Sequence, residues 1–213
     1  MADHVSRETP LAPDLARGVF RDQLPLAEAY AHLLVTQATV RGLIGPREIP
    51  RIWERHILNC AVVSDLIQPG ASVVDIGSGA GLPGVCLAIR RPDVQVTLVE
   101  PLLRRTTFLD EVVEALHLPN VVVHRGRAEN LHGSQAFDVV TSRAVAPLPK
   151  LLAWSLPLCN QTGEVLAMKG SSAEQEIHQA STELARAGVV ASVEFVGSEW
   201  LAEPVTVVRV RKG

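Results

Sequence analysis

The sequence has little lysine and no long apolar run. Only 3 of its 20 basic residues are lysine, and its 23 acidic residues leave a net charge of −3 over 213 residues. This balance excludes a polybasic protein that coats nucleic acid through bulk charge. No run approaches the roughly 20 apolar residues that a membrane span requires, and the polar start lacks the pattern of a signal peptide. We therefore expect a cytoplasmic protein.

Cysteine and aromatic residues are also scarce. Cys60, Cys86 and Cys159 have no C-x-x-C spacing and lie in apolar stretches, which predicts buried free thiols rather than disulfides or zinc ligands. Because aromatic residues make up only 4% of the chain, an arginine face is the expected stacking surface for any bound base. Arginine supplies 17 of the 20 basic residues, and it is the side chain that makes bidentate phosphate contacts.

Apolar residues make up 47% of the chain, which is sufficient for a packed core. Residues 1–20 match no motif and are expected to form a mobile arm. Residues 21–70 show helical spacing and predict a helical leader packed on the core. From 71 to 213, β-rich runs alternate with helical stretches, which predicts an α/β fold with a mostly parallel, Rossmann-like sheet of seven strands. The expected strands lie near 71–76, 94–100, 120–124, 137–142 and 163–168, the helices near 83–91, 102–117, 147–158 and 173–187, and a C-terminal antiparallel hairpin at 189–196 and 205–210.

A glycine turn follows the first predicted strand. Glycines allow the backbone to approach a ligand where a Cβ would clash, at the edge where open α/β sheets bind nucleotides. Gly77-x-Gly79-x-Gly81 preceded by Asp75 is the methyltransferase form of the turn, but a dinucleotide pattern ending at Gly84 is also satisfied. A carboxylate here repels a pyrophosphate and tolerates the zwitterionic S-adenosylmethionine, so the turn favours a class I S-adenosylmethionine-dependent methyltransferase.

Two further segments are placed to complete such a site. Glu100 ends the second predicted strand, 21 residues after Gly79, where a carboxylate accepts hydrogen bonds from ribose hydroxyls. After the third strand, the loop containing Glu129 is placed to read an adenine edge through a backbone N–H and a short acidic side chain. A solvated strand end and a solvated loop are the alternatives.

The end of the fourth predicted strand is where an acceptor meets a methyl group. Ser142-Arg143-Ala144 stands in place of the Asn/Asp-Pro-Pro-aromatic segment of amine methyltransferases and the nucleophilic cysteine of pyrimidine C5 enzymes. Guanine N7 has a free lone pair and attacks a sulfonium methyl without losing a proton, so it needs no general base. We expect Arg143 to position cofactor or acceptor, with a surface arginine as the alternative.

A near-neutral protein that binds RNA has to place its few cations unevenly. Arg104 and Arg105 open a predicted helix, where the helix dipole disfavours cations, and this points to a phosphate partner. Pairing with Glu100, Asp110 or Glu111 is the alternative. With a leader cluster that also includes Arg41 and Arg47, the candidate RNA contacts are Arg51, Arg55, His56, Arg104, Arg105, Arg125, Arg127 and Lys169.

Four segments, Trp53–Leu58, Asp75–Gly84, Arg104–Leu109 and Ser142–Ala144, together resemble the RsmG family, also called GidB, of bacterial 16S rRNA guanine-N7 methyltransferases. The resemblance covers almost the whole chain. It implies S-adenosylmethionine as cofactor, methylation of the guanosine at rRNA position 527, and 16S rRNA or the small ribosomal subunit as partner. The cofactor contacts that it implies are Gly77, Leu82, Ala128, Glu129 and Arg143. Glu100 departs from the aspartate that is frequent in the family, but it keeps the carboxylate.

The sequence motifs are compatible with three functions. The first is methyl transfer to guanine N7 without a general base. The second is an NAD(P)-dependent oxidoreductase that uses the dinucleotide pattern, and the third is a non-catalytic S-adenosylmethionine-sensing module that binds the ribosome. We expect no metal, because His56 has no partners at ligand spacing, and His56 fits a structural histidine as well as an RNA contact. We also expect a monomer. Lys169 also fits a solvated lysine.

Overall fold

Within residues 8–213, the part of the chain that this computed structural model describes, seven strands form one sheet. The strands are β1 (Ser72–Ile76), β2 (Gln95–Glu100), β3 (Val121–Arg125), β4 (Phe137–Arg143), β5 (Cys159–Met168), β6 (Val189–Val196) and β7 (Val205–Lys212). Their order is β3-β2-β1-β4-β5-β7-β6, parallel from β3 to β5, and β7 pairs antiparallel with both β5 and β6. The predicted Rossmann-like, mostly parallel sheet with a C-terminal antiparallel hairpin is confirmed.

The segment before the sheet is helical, as its apolar spacing predicts. Its elements are α1 (Asp14–Phe20), a 3-10 turn (Arg21–Gln23), α2 (Leu24–Leu33), a π-helical turn (Leu34–Ala38), a 3-10 helix (Pro46–Arg51), a π helix (Ile52–Leu58), α3 (Asn59–Ala61) and a 3-10 turn (Val62–Leu66). π-helical turns often occur at functional sites, and the one at Ile52–Leu58 carries Arg55 and His56.

The mobile-arm assignment of residues 1–20 is wrong for residues 14–20. Ala16, Val19 and Phe20 of α1 are buried in the core. Their burial stabilises the helix against the leader, by roughly 1.5–3 kcal/mol for each large apolar side chain. The first seven residues of the expected arm lie outside the described residues.

Among the described residues, five α-helices lie between successive strands. They are α4 (Gly84–Arg90), α5 (Leu103–Ala115), α6 (Leu148–Ser155), α7 (Ala173–Gln179) and α8 (Ser181–Ala187). The single helix expected over 173–187 is divided at Ala180, which is fully buried. β5 begins before the expected residue 163, because Cys159 already pairs with Phe137 ahead of a register shift in β4.

Two apolar cores cover the two faces of the sheet. Successive residues of β1 alternate between them, since side chains of a strand point to opposite faces. Val73 packs with the leader, α4 and α5, and Val74 packs with α6, α7 and α8. The leader is thus part of the larger core, which allows its side chains to contribute to a site at the edge of the sheet. Within residues 8–213, no helix is both long and apolar enough to cross a membrane.

Candidate functional site

A cavity of about 660 Å³ opens at the carboxyl ends of the parallel strands, where the strand order reverses between β1 and β4. Open α/β sheets bind their ligands at this switch point. Seven of the nine predicted cofactor residues line the cavity: Gly77, Gly79, Leu82, Glu100, Ala128, Glu129 and Arg143. They come from four separate stretches of the chain, which the parallel register brings to one edge.

The other two predicted cofactor residues, Asp75 and Gly81, do not line the cavity, contrary to the expected direct contact. The Oδ2 atom of fully buried Asp75 accepts a hydrogen bond from the Gly84 N–H at 3.0 Å. A Cβ at Gly81 would lie 2.5 Å from a Val85 methyl and 2.9 Å from the Tyr30 hydroxyl. Both residues therefore shape the turn through packing and backbone hydrogen bonding.

Burial gives Asp75 an unusual titration. It raises the pKa of this carboxyl to about 7, outweighing the Gly84 N–H, which lowers it. The Oδ1 atom has no hydrogen-bond partner among the described residues. A carboxyl whose pKa is raised on folding stabilises the fold fully below its unfolded pKa, and this contribution is lost as the pH rises through the folded pKa.

We therefore predict that Asp75→Asn changes the pH dependence of stability. Between pH 4 and 7 the wild type loses stability, because Asp75 ionises in the unfolded chain while burial keeps it protonated in the folded protein, and the neutral amide removes this loss. The free energy of unfolding of the variant minus that of wild type should be larger at pH 8 than at pH 5, by an amount on the order of 2–4 kcal/mol. Urea unfolding at both pH values measures it. Parallel pH profiles for the two proteins would contradict the prediction.

Glu100 organises the turn from the end of β2. Its side chain is 1% exposed, and its Oε2 accepts from the Gly79 N–H at 3.1 Å and from Arg105 Nη1 at 3.2 Å. Its Oε1 accepts from the Leu102 N–H at 3.0 Å. A carboxylate has about four lone-pair sites, so Glu100 keeps acceptor capacity for a ribose hydroxyl in the cavity that it lines.

The carboxyl groups of Glu100 and Asp75 make a dinucleotide an unsuitable ligand. In a dinucleotide site, backbone N–H groups of the glycine turn and of the following helix face the pyrophosphate. Here the Gly79 N–H faces Glu100, and the Gly84 N–H faces Asp75. A Cβ at Gly84 would lie 2.3 Å from Leu98 Cδ2, so this glycine serves helix–sheet packing. The residues fit a nucleoside ligand without phosphate, such as S-adenosylmethionine.

The leader holds Arg143 in the site. Arg143 Nη2 donates to His56 Nδ1, and its Nη1 lies 3.4 Å from the Arg55 carbonyl oxygen and 3.3 Å from Cys60 Sγ. Because Nδ1 accepts, the proton of neutral His56 is on Nε2, which donates to Glu48 Oε2 at 2.7 Å. Burial, followed by the charge of Arg143, lowers the pKa of His56 and favours the neutral ring. His56 thus links Glu48 to Arg143.

A second cavity, of about 850 Å³, adjoins the first. Arg143, Ala144 and Val145 line both cavities, and we call the place where the two cavities meet at these three residues the passage. We name residues 144–147 the partition loop. Val145 packs on the glycine turn, since a Cβ at Gly77 would lie 3.0 Å from its Cγ2.

Several predicted RNA contacts are engaged within the protein. His56 is buried, and Arg105 pairs with Glu100, which was the alternative for that residue. The Lys169 side chain is 10% exposed and donates to the Ala146 carbonyl oxygen and to Glu176 Oε2, so the alternative of a solvated lysine is wrong. Lys169 also lines the second cavity, and its contact with RNA stays a prediction. Arg55 is half exposed, lies 3.7 Å from Glu48 and lines the second cavity.

The remaining predicted RNA contacts are exposed. Arg51, Arg104, Arg125 and Arg127 have no ion-pair partner among residues 8–213. Arg127 also lines the first cavity. In the leader, Arg41 instead pairs with Glu111 at 2.5 Å. These four arginines come from the leader, from the start of α5, from the end of β3 and from the loop after it.

Four residues of the site have no signal in the sequence analysis. Glu48 and Trp154 line the first cavity, Val145 lines both, and the Tyr30 hydroxyl donates to the Ala80 carbonyl oxygen of the turn at 2.8 Å. Their neighbours in the site are distant in sequence, so local patterns do not indicate them. No group of three or more His, Cys, Asp or Glu within the described residues is arranged to hold a metal ion.

The fold and the site together define a class I S-adenosylmethionine-dependent methyltransferase. An S-adenosylmethionine-dependent O-methyltransferase from Thermotoga maritima has the same fold, with a TM-score of 0.56 at 12% identity over 78% of this chain and 69% of that chain. The family model for rRNA small subunit methyltransferase G, GidB, matches residues 23–200.

Two curated relatives of the same name agree with the family model. The protein from Nocardioides sp. is 58% identical over 212 residues, which cover 99% of this chain and 85% of the relative. The protein from Thermobifida fusca is 56% identical over 211 residues, or 99% of this chain and 87% of the relative. The chain belongs to the rRNA small subunit methyltransferase G family, as its resemblance to RsmG indicates.

Proposed function

We propose that this protein transfers the methyl group of S-adenosylmethionine to N7 of a guanosine in 16S rRNA, at rRNA position 527, and that it acts as a monomer in the cytoplasm. The observation that carries the proposal is the meeting of two cavities at Arg143, Ala144 and Val145. One cavity is lined by the cofactor candidates, and the other has room for an acceptor base. Family membership supplies the substrate class.

The chain's residues have mainly positioning roles in this reaction. Bound S-adenosylmethionine supplies an electrophilic methyl group. Glu100 receives the ribose hydroxyls, and the loop at Ala128 and Glu129 receives the adenine edge. Arg143, fixed by His56, holds the acceptor base in line at the passage. Alignment of this kind contributes roughly 7–11 kcal/mol to lowering a barrier.

The residues at the passage match an acceptor that needs no base. Arg143, Ala144 and Val145 carry no group that takes up a proton at neutral pH. Both nitrogens of His56 are engaged, with Glu48 and Arg143. Guanine N7 attacks through a lone pair, so this arrangement suffices for N7 and is unsuitable for an amine that must lose a proton.

The exposed arginines are proposed to hold the rRNA backbone. The target guanosine has to leave its stack to present N7 in the second cavity. Arg55 lines that cavity and offers a guanidinium surface for the base. Arg104, Arg125 and Arg127 would contact phosphates beside the first cavity.

We predict that Arg104→Ala combined with Arg125→Ala weakens RNA binding through charge. Each neutralised phosphate contact should reduce the slope of log K against log salt by about 0.7–1, so the double variant should lose about 1.4–2. Arg186→Ala, an exposed arginine on α8, is the matched control and should leave the slope unchanged. Filter binding at several salt concentrations measures it. An unaltered slope in the double variant would remove these two arginines from the RNA surface.

One methylation assay tests the proposed function. Labelled S-adenosylmethionine is offered with naked 16S rRNA, a small-subunit assembly intermediate and the finished subunit, all from a strain that lacks the gene. The rRNA is then digested to nucleosides and mapped by mass spectrometry. We expect label in one 7-methylguanosine at position 527. Label in another nucleoside overturns the N7 assignment, and cofactor binding without transfer to any of the three substrates supports the non-catalytic module instead.

A further inference from the structure

Lys169 follows β5 directly at the edge where the two cavities meet, and both Lys169 and Glu176 line the second cavity. Lys169 Nζ donates to the Ala146 carbonyl oxygen at 2.7 Å and to Glu176 Oε2 at 2.7 Å. The two charged side chains are only 10% and 17% exposed. Water therefore competes weakly with this ion pair, and its geometry is better defined than that of a surface pair.

Glu176 of α7 holds the other end of the same loop. Its Oε2 also accepts from the Leu148 N–H, the first of α6, at 2.9 Å, and its Oε1 accepts from Ser172 Oγ at 3.3 Å. Burial by itself would raise the pKa of Glu176, but the Lys169 ammonium and the Leu148 N–H outweigh it and lower the pKa. The carboxylate is therefore charged at neutral pH.

The segment held in this way is the partition loop. Its first residue, Ala144, has φ +54°, a conformation that L-residues rarely adopt without support from their surroundings. Its second residue, Val145, lines both cavities and packs on Gly77. The loop follows Arg143, which pairs with Met168 in the β4–β5 register, one residue before Lys169. A shift of the loop would therefore change the passage through which the methyl group has to reach the acceptor.

We propose that Lys169 and Glu176 form a clamp on the partition loop, and that the pair consists of positioning residues for methyl transfer rather than contacts to RNA. The inference deepens the proposed function and rests on it. Because reacting groups need near-attack geometry, a displacement of about 1 Å costs up to 100-fold in rate. Cofactor binding uses residues of the first cavity and should change little. Lys169 and Glu176 also line the second cavity, so RNA affinity is measured separately from the rate.

The test compares Lys169→Met, Glu176→Gln and the double variant with wild type, using Lys212→Met as the control. Lys212 is exposed at the opposite edge of the sheet and loses the same charge. For Lys169→Met we expect kcat to fall about 10- to 100-fold, with the KM for RNA and the Kd for S-adenosylmethionine within threefold of wild type. Calorimetric binding stoichiometry confirms the folded fraction of each variant.

Glu176→Gln separates the clamp from an RNA contact. Loss of a negative charge beside an RNA-binding lysine would tighten RNA binding, whereas loss of the clamp lowers kcat and leaves RNA affinity unchanged. The clamp also predicts that the double variant is no slower than the slower single variant, because either change breaks the same unit.

The outcomes for the clamp and for the proposed function are distinguishable. A wild-type protein that methylates no rRNA overturns the proposed function. Wild-type activity with an unchanged kcat in Lys169→Met overturns the clamp alone. A raised RNA KM in Lys169→Met, together with tighter RNA binding by Glu176→Gln, overturns it in favour of RNA contact.

Discussion

Arg143→Ala is expected to lower the single-turnover rate of methyl transfer by about 100-fold or more, the largest effect that we predict. Among the described residues, Arg143 is the one charged side chain that lines both cavities. Its removal eliminates the group that we propose holds the acceptor in line, and loss of alignment alone costs about this factor. The affinity for S-adenosylmethionine should fall less than the rate.

The variant has to be separated from a simple loss of stability. Without Arg143, His56 Nδ1 and Cys60 Sγ lose their donor, which costs on the order of 1–3 kcal/mol. Rates are therefore measured well below the melting temperature. Arg143→Lys retains the charge but not the planar fork, and should give an intermediate rate. Arg186→Ala on α8 is the control. A rate of Arg143→Ala within threefold of wild type would show that Arg143 does not align the acceptor.

Glu100→Gln is expected to weaken S-adenosylmethionine binding about 10- to 100-fold, which corresponds to about 1.4–2.8 kcal/mol. The carboxylate accepts from two backbone N–H groups and from Arg105. A glutamine presents an NH₂ group to one of these donors, so the turn has to shift and the charge-assisted acceptor for the ribose is lost. Calorimetry with S-adenosylmethionine measures the change.

A matched variant controls for the charge. Glu114→Gln alters an exposed glutamate on neighbouring α5 and should leave the Kd unchanged. NAD(H) serves as a second ligand, and neither protein should bind it tightly, because the turn N–H groups face Glu100 and Asp75. Tight NAD(H) binding by the wild type, or an unaltered S-adenosylmethionine Kd in Glu100→Gln, would contradict the assignment of the first cavity.

The sheet follows from local sequence patterns to within a few residues. Short β-rich runs that alternate with helical stretches require parallel pairing, and two runs in succession at the C-terminus require a hairpin. The placement of Gly77, Gly79 and Glu100 around one cavity follows equally directly, because the carboxyl ends of parallel strands meet at one edge. The break at Ala180 has no glycine or proline to signal it.

Two predictions that the structure contradicts, the mobile arm over residues 14–20 and the direct cofactor contact of Asp75, have the same physical cause. Residues 14–20 lack a recognisable motif, yet α1 is packed because the leader provides an apolar surface for Phe20. Asp75 lies in the expected motif, but the direction of its carboxylate depends on the Gly84 N–H, which the folded turn presents. The position of a side chain along a strand follows from the local sequence. Its hydrogen-bond partner depends on the tertiary structure.

The fold class, the approximate positions of the strands and the edge that carries the site thus follow from local patterns, because periodicity and glycine turns act over a few residues. The order of the strands in the sheet comes from the tertiary structure. The partners of the charged side chains were decided only when distant segments met. Glu48 and His56 come from the leader to hold Arg143, and Lys169 bonds to Glu176 of α7. Charge interactions depend on separation and burial in space, and the spacing of residues along the chain specifies neither.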